Sequence, residues 1–319
     1  MTGLILLALS AALLTVGAEL FAEHAARAGR RIGVTALAVG LVVAGAEPEE
    51  LVTAVFASAR HRGGIAVGDA IGANITMLTL VLGLIAVLVG LPIGKRVRGY
   101  AFAAAGAGTV AAVLLSVGRL TRAGGAVLVA AYVGGLFVVW RIERRPPAIG
   151  ELTEAFVHGS AKAASPASED PVEAGGAVAV LLLLVGVGIM ALGGRLAVSG
   201  AEQIVDSLGL ADSAVGLTFV ALATTAELFA LAWSAARRGI TELAVAGVIG
   251  SAAYNATATL GVAALIHPLP NGGVTGAAWL AAGLPLLIVA LGGPRGELRR
   301  LAGFAVLTIY SVYLVLVLI

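Results

Sequence analysis

Glu47, Glu49 and Glu50 fall in the stretch Gly45-Ala-Glu-Pro-Glu-Glu-Leu51, and Glu227 in Ala223-Thr-Thr-Ala-Glu-Leu228, both inside long apolar runs. A charged side chain at the centre of a membrane helix costs roughly 2.5–3.5 kcal/mol even on a mild insertion scale. Three lipid-facing carboxylates within four residues would cost on the order of 8–10 kcal/mol. Such groups must face a polar interior, carry protons or bind cations. A helix end in contact with water would explain Glu47 alone, but not the return of Glu227 at the matching place in the second half. On a helix of 3.6 residues per turn, Glu47 and Glu50 share a face, and Glu49 points about 160–200° away from Glu47. Pro48 has no backbone N–H, which predicts a kink and a freed carbonyl at Ala44. Freed carbonyls beside carboxylates are hard oxygen ligands, suited to Ca2+ or Na+.

Neutral oxygen donors accompany the acids. Thr224 shares a helical face with Glu227, and Thr218 and Thr225 add hydroxyls, although each threonine can instead bond back to its own helix. Ser251, Asn255 and Thr259 repeat at four-residue spacing on one stripe of the next apolar run. The equivalent stripe in the first half is Asp69, Ala73 and Met77, with Asn74 and Thr76 beside it. Asp69 is close to Arg60-His61-Arg62, so an ion pair at the membrane mouth is the competing explanation for it. Glu19 and Glu202, each preceded by Gly-Ala, either line an access path or mark a helix end. The candidate metal ligands are therefore Glu47, Glu49, Glu50, Asp69, Asn74, Thr224, Thr225, Glu227, Ser251 and Asn255.

The elements that hold these residues follow from composition. Of 319 residues, 60% are hydrophobic and 12% charged, where a soluble domain carries about 25% charged residues. A bilayer-spanning helix takes about 20 mostly apolar residues. Ten such segments can be marked, at 3–24, 33–59, 65–92, 99–118, 121–141, 176–200, 211–236, 243–267, 274–292 and 299–319. All are too long for strands. The 44 glycines suit closely packed membrane helices. The N-terminus lacks a basic region and a clear cleavage site, so it reads as the first span and not a removable signal. The absence of Cys excludes disulfides, thiolate metal sites and Cys nucleophiles. A net charge of +2 gives no basis for nucleic-acid binding.

Residues 142–175 differ in kind, with Pro146, Pro147, Pro166 and Pro171 among charged and small polar residues. They read as a cytoplasmic linker with a short helix near 151–158, between a first five-helix repeat at 1–141 and a second at 176–319. With an outside N-terminus, 15 of the 20 Lys and Arg residues fall on inner loops. Arg60, Arg62, Arg119, Arg122 and Arg195 are the outer five. Positive charge gathers on the cytoplasmic side, which predicts two extracytoplasmic termini. The halves also match each other. Glu49 lies 178 residues before Glu227, and Ile71-Gly72 and Leu82-Gly83 lie 178 before Ile249-Gly250 and Leu260-Gly261. Gly17-Ala18-Glu19 echoes Gly200-Ala201-Glu202. An odd number of spans inverts the second copy. The expected fold is an all-α membrane protein of about ten transmembrane helices in two inverted-topology five-helix repeats, a transporter architecture with its site at the midplane.

Over residues 40–83 and 216–261 the chain resembles the two repeats of the calcium/cation antiporter superfamily, which includes sodium/calcium and calcium/proton exchangers. The resemblance rests on Gly45…Pro48-Glu49-Glu50-Leu51, Gly68-Asp69-Ala-Ile-Gly72-Ala73-Asn74 and Val81-Leu82-Gly83. In the second copy it rests on Ala223-Thr224-Thr225-Ala226-Glu227-Leu228, Val248-Ile249-Gly250-Ser251, Asn255 and Leu260-Gly261. The departures are Asp69 for Asn, Ala73 for Ser, Met77 for a polar ligand, lost Asn positions at Gly247 and Ala252, and a first motif with Glu47 but no Thr-Ser pair. The repeat alignment favours Glu49 as the counterpart of Glu227; the spacing to the later Gly-Ser position favours Glu50.

The resemblance implies that the two repeat glutamates bind Ca2+ directly. The expected function is secondary active cation antiport, Ca2+ against Na+ or H+, by alternating access in the plasma (inner) membrane. The alternative is a monovalent-cation/proton or other divalent-cation antiporter. The expected partners are the bilayer and small inorganic cations, with no cofactor. An enzyme is disfavoured because His24, His61, His158 and His267 form no His-Glu-x-x-His pair and no Gly-x-Ser-x-Gly elbow occurs.

Overall fold

The computed structural model describes residues 1–31, 47–143, 172–238, 241–293 and 296–319. The linker expected at 142–175, with its short helix, lies mostly outside them. Eight described helices are long and apolar enough to cross a membrane. They are spans one (Thr2–Arg31), three (Gly63–Val89), four (Lys95–Ser116), five (Arg122–Glu143), six (Val172–Leu208), eight (Thr241–Ile266), nine (Thr275–Gly292) and ten (Arg300–Leu318). Spans two and seven are not among these eight. Span two is described over Pro48–Ala59, and span seven runs from Asp212 to Arg238 with a break at Thr225.

Burial separates the spans. In spans three and eight, 78% of the residues in the most apolar window are inside the protein, against 22–44% for the other six. Spans three and eight therefore form the centre, and the apolar faces of the others meet lipid. Span six has 37 residues, about 55 Å of helix. That exceeds the roughly 30 Å hydrocarbon core, so it tilts or projects. It packs along span one at glycines: Gly3 approaches the Gly200 carbonyl, and Gly17 the Gly186 carbonyl.

The two halves are joined by short extended segments. Strand β1 (Leu91–Pro92) pairs antiparallel with β4 (Glu297–Leu298), and β2 (Arg119–Leu120) with β3 (Leu269–Pro270). Moving 178 residues along the chain turns the pair Leu91–Leu298 into the pair Leu269–Leu120, so the connections interchange as a pseudo-twofold axis demands. The π-helical turns follow the same rule: Met77–Val81 in span three recurs as Asn255–Thr259 in span eight. A third, Gly216–Val220, follows the first helical turn of span seven, Asp212–Val215. These wide turns are common at functional sites because they shift the register of the side chains that follow.

Spans three and seven cross in close contact. A Cβ placed on Gly68 would sit 2.5 Å from the Ser213 carbonyl oxygen, and one on Gly216 would sit 2.6 Å from that of Ile65. Only glycine permits this approach, and it brings Asp69 up to span seven.

Candidate cation-binding site

In span two the helix starts at Pro48 itself. The ring occupies the first helical position, where the missing N–H costs nothing. Glu47 leaves helical geometry just before it (φ −86°, ψ 83°), and Ala44, whose carbonyl was expected to be freed, lies outside the described residues. Glu47 immediately precedes the helix, and Glu49 and Glu50 lie in its first turn. All three are at most 1% exposed. The positive end of the helix dipole favours carboxylates there. Span seven repeats the device. The chain breaks helix at Thr225 (φ −84°, ψ 3°), and Glu227 sits in the first turn after the restart at Ala226. Glu49 and Glu227 are each the second residue of the helix that holds them.

Glu47, Glu50 and Asp69 make contacts across the repeats. Ser251 Oγ donates to a Glu47 carboxylate oxygen. Glu50 reaches toward Asn255, with Glu47 and Asp69 as its charged neighbours. Glu47 also touches Glu49. Thr224 Oγ1 donates to Asp69 at 3.0 Å. Asn74 Nδ2 donates to the carbonyl of Ala252 at 2.9 Å, 178 residues away. A residue bonded to its own repeat counterpart stands beside the pseudo-twofold axis, so the site is central. Asn255 Oδ1 accepts from Thr259 at 3.1 Å, across the π-helical turn.

Not every candidate joins this set. Thr225 Oγ1 is turned back onto the Ala221 carbonyl at 2.7 Å. Thr224 and Glu227, expected on one helical face, are separated by the break at Thr225. Among the described residues no three His, Asp or Glu side chains form a metal cluster. The acids are instead interleaved with hydroxyls and amides. Tyr254 was missed from the sequence. It is buried, neighbours Glu47, Glu49 and Glu50, and meets the Tyr132 ring edge-on at 5.3 Å. A tyrosine beside Asn255 in an apolar run was the available signal.

The sodium/calcium exchanger protein family matches residues 2–141 and 178–319. The chain belongs to this family. It is a multi-pass membrane cation antiporter. The protein named antiporter CaxA of Alkalimonas amylolytica is 30% identical over 91% of this chain and 89% of its own. The sodium/calcium exchanger MaX1 of Methanosarcina acetivorans is 25% identical over 98% and 97%. Solved structures of the sodium-calcium exchanger NCX_Mj, among them one soaked with Na+ and Sr2+, share the fold with a TM-score of 0.62 at 24% identity, over 98% of this chain and 97% of theirs.

The mouth of the exchanger beside the 60–62 turn explains several charges that lie away from the site. Arg62 reaches Glu202 of span six at 3.2 Å and Asp212 of span seven at 3.5 Å. Arg60 reaches Glu202 at 3.7 Å and Ser199 at 2.9 Å. Asp69 is therefore not held by these arginines; it faces Thr224. Glu202 ties span six to the core. Arg122 donates to the carbonyls of Leu265 and Ile266 at 3.1 and 3.0 Å, capping span eight. Three of the five cations that run against the charge bias thus have structural partners. Both acids are about 28% exposed and Arg62 about 35%, so solvent weakens the pairs. Arg62→Gln is expected to cost about 1 kcal/mol. Thermal unfolding should show this as a loss of roughly 2–4 °C that shrinks in high salt.

Proposed function

We propose that the exchanger carries Ca2+ against Na+ or H+ by alternating access, with the ion held between the acid-bearing helix starts of spans two and seven and the centres of spans three and eight. One observation carries this reading. Glu47, Glu49, Glu50, Asp69 and Glu227 are at most 9% exposed, and no Lys or Arg occurs over residues 47–59, 63–89, 212–236 or 241–266. Carboxylates gathered in buried segments that carry no basic residue need cations or protons to balance their charge. One Ca2+ offsets two such charges, and the rest are left to protons or Na+. Ca2+ takes six to eight oxygens, and the acids with Thr224, Ser251, Asn74 and Asn255 are oxygen donors of the right type. When Na+ or protons take the carboxylates, Ca2+ leaves.

The same reading makes 1–141 and 176–319 the two repeats, with 142–175 on the cytoplasmic side and both termini outside, as the positive-charge bias supports. Spans one and six move together against the rest.

A monovalent-cation/proton exchange is favoured by Met77, which is fully buried at the place corresponding to Asn255 and removes one oxygen ligand from the first repeat. Reconstituted protein separates the readings. Ca2+ uptake into liposomes driven by an imposed Na+ or pH gradient is the expected result. Absence of Ca2+ flux under both gradients, with Na+ or K+ flux under a pH gradient, would establish the second reading.

A further inference from the structure

The inverted repeats provide an internal control for one crevice. Arg122, which opens span five, is engaged by the carbonyls that end span eight. Its counterpart 178 residues on is Arg300, which opens span ten, and the counterpart carbonyls belong to Val87 and Leu88 at the end of span three. That closure is not made. Among the described residues neither the Arg299 nor the Arg300 side chain has a hydrogen-bond or ion-pair partner. A cavity of about 840 Å³ opens there instead, lined by Leu88, Val89, Leu291, Arg299, Arg300 and Leu301.

The two ends of this crevice differ in chemistry. One wall is apolar and outward-facing: Leu88 and Val89 are about half exposed, and Leu301 is 85% exposed. Both arginines stand at the very start of a membrane-spanning helix, at the polar boundary. Arg98 of span four adds positive charge on the same side, with its guanidinium close to Gly296. Glu297 is the acidic lining residue, and its carboxylate lies against Gly90 on the strand side. Paired guanidinium groups match the geometry of a phosphate, and basic pockets between membrane helices suit anionic headgroups. A free phosphate would leave the apolar wall in water, whereas an acyl chain covers it.

We infer that this crevice binds an anionic phospholipid, its phosphate on Arg299 and Arg300 and an acyl chain along Leu88, Val89 and Leu301. The test uses purified, delipidated full-length protein in neutral detergent, with lipid retention read by native mass spectrometry. Phosphatidylglycerol and phosphatidylcholine of identical chains are compared. Wild type should prefer phosphatidylglycerol by roughly tenfold or more, since each arginine near the headgroup adds to the attraction. R299Q/R300Q should lose that preference, while R119Q, at the opposite mouth, keeps it. Equal retention of both lipids by wild type, an undiminished preference in R299Q/R300Q, or displacement of phosphatidylglycerol by glycerophosphate at matched concentration would overturn the assignment. Retention does not depend on transport, so the outcome stands apart from the identity of the exchanged ions.

Discussion

Glu227→Gln is expected to abolish Ca2+ transport, lowering initial flux in proteoliposomes by about 100-fold or more, because it removes a directly ligating charge from an ion that binds through carboxylate oxygen. The substitution keeps size and shape, so folding should survive. Thermal unfolding without Ca2+ should be unchanged or raised, since a buried carboxylate is replaced by a neutral amide. The same change at the first repeat resolves which glutamate does the corresponding work. Glu49 holds the equivalent position, second in its helix, whereas Glu50 is the one that reaches Asn255. Glu49→Gln matching the loss in Glu227→Gln, with a milder loss in Glu50→Gln, would make the two helix starts the ligands. The reverse order would make the contact with span eight decisive. Calorimetric Ca2+ binding measured beside flux separates binding from movement, and wild-type flux in Glu227→Gln would sink the proposed site.

Gly216→Ala should be strongly damaging for the addition of a single methyl. The added Cβ would lie 2.6 Å from the Ile65 carbonyl oxygen and 3.0 Å from the Asp69 amide. Both are backbone atoms of a buried helix and cannot swing aside. Overpacking of this kind costs about 1–3 kcal/mol, which corresponds to a loss of roughly 3–10 °C in thermal unfolding. Flux should fall further than stability, because the displaced helix carries Asp69 away from Thr224. Gly135→Ala supplies the contrast. No atom lies within 4 Å of its added Cβ, and alanine is the better helix former by up to about 1 kcal/mol. That variant should be neutral or slightly more stable. Equal melting temperatures for the two would show that the crossing of spans three and seven is looser than described.

Much of this was legible in the sequence, for a definite reason. Hydropathy is a local property, so ten apolar runs could be marked without knowing what touches what. Runs two and seven hold the acid motifs, each in the first turn of a described helix. Duplication is also local to read: a 178-residue offset between glutamates and between Leu-Gly pairs needs only a comparison of strings. The acids stood out because charge in a lipid-spanning run is expensive wherever it points. Backbone detail at Thr225 and Pro48 was less legible. Thr225 sits at the break and donates its hydroxyl to the Ala221 carbonyl, and Pro48 is the first residue of a helix. Neither outcome can be read from residue type, since the same threonine or proline suits either conformation.

By itself the sequence determined that the chain lies in a membrane, that its two halves repeat in inverted sense, and which acids are too costly to face lipid. Tertiary structure alone decided how these acids are partnered. Glu47 meets Ser251, Glu50 turns to Asn255 and Asp69 faces Thr224, over separations of 155 to 205 residues. It also decided that Arg60 and Arg62 lock a mouth and do not neutralise Asp69, and that Arg300 is left facing a crevice where Arg122 closes one. The reason is geometric. Inverting a repeat places its site at the contact between the two copies, and that contact is set by where helices cross at glycine, where π-helical turns shift register and where strands clasp. None of these is a property of any single segment.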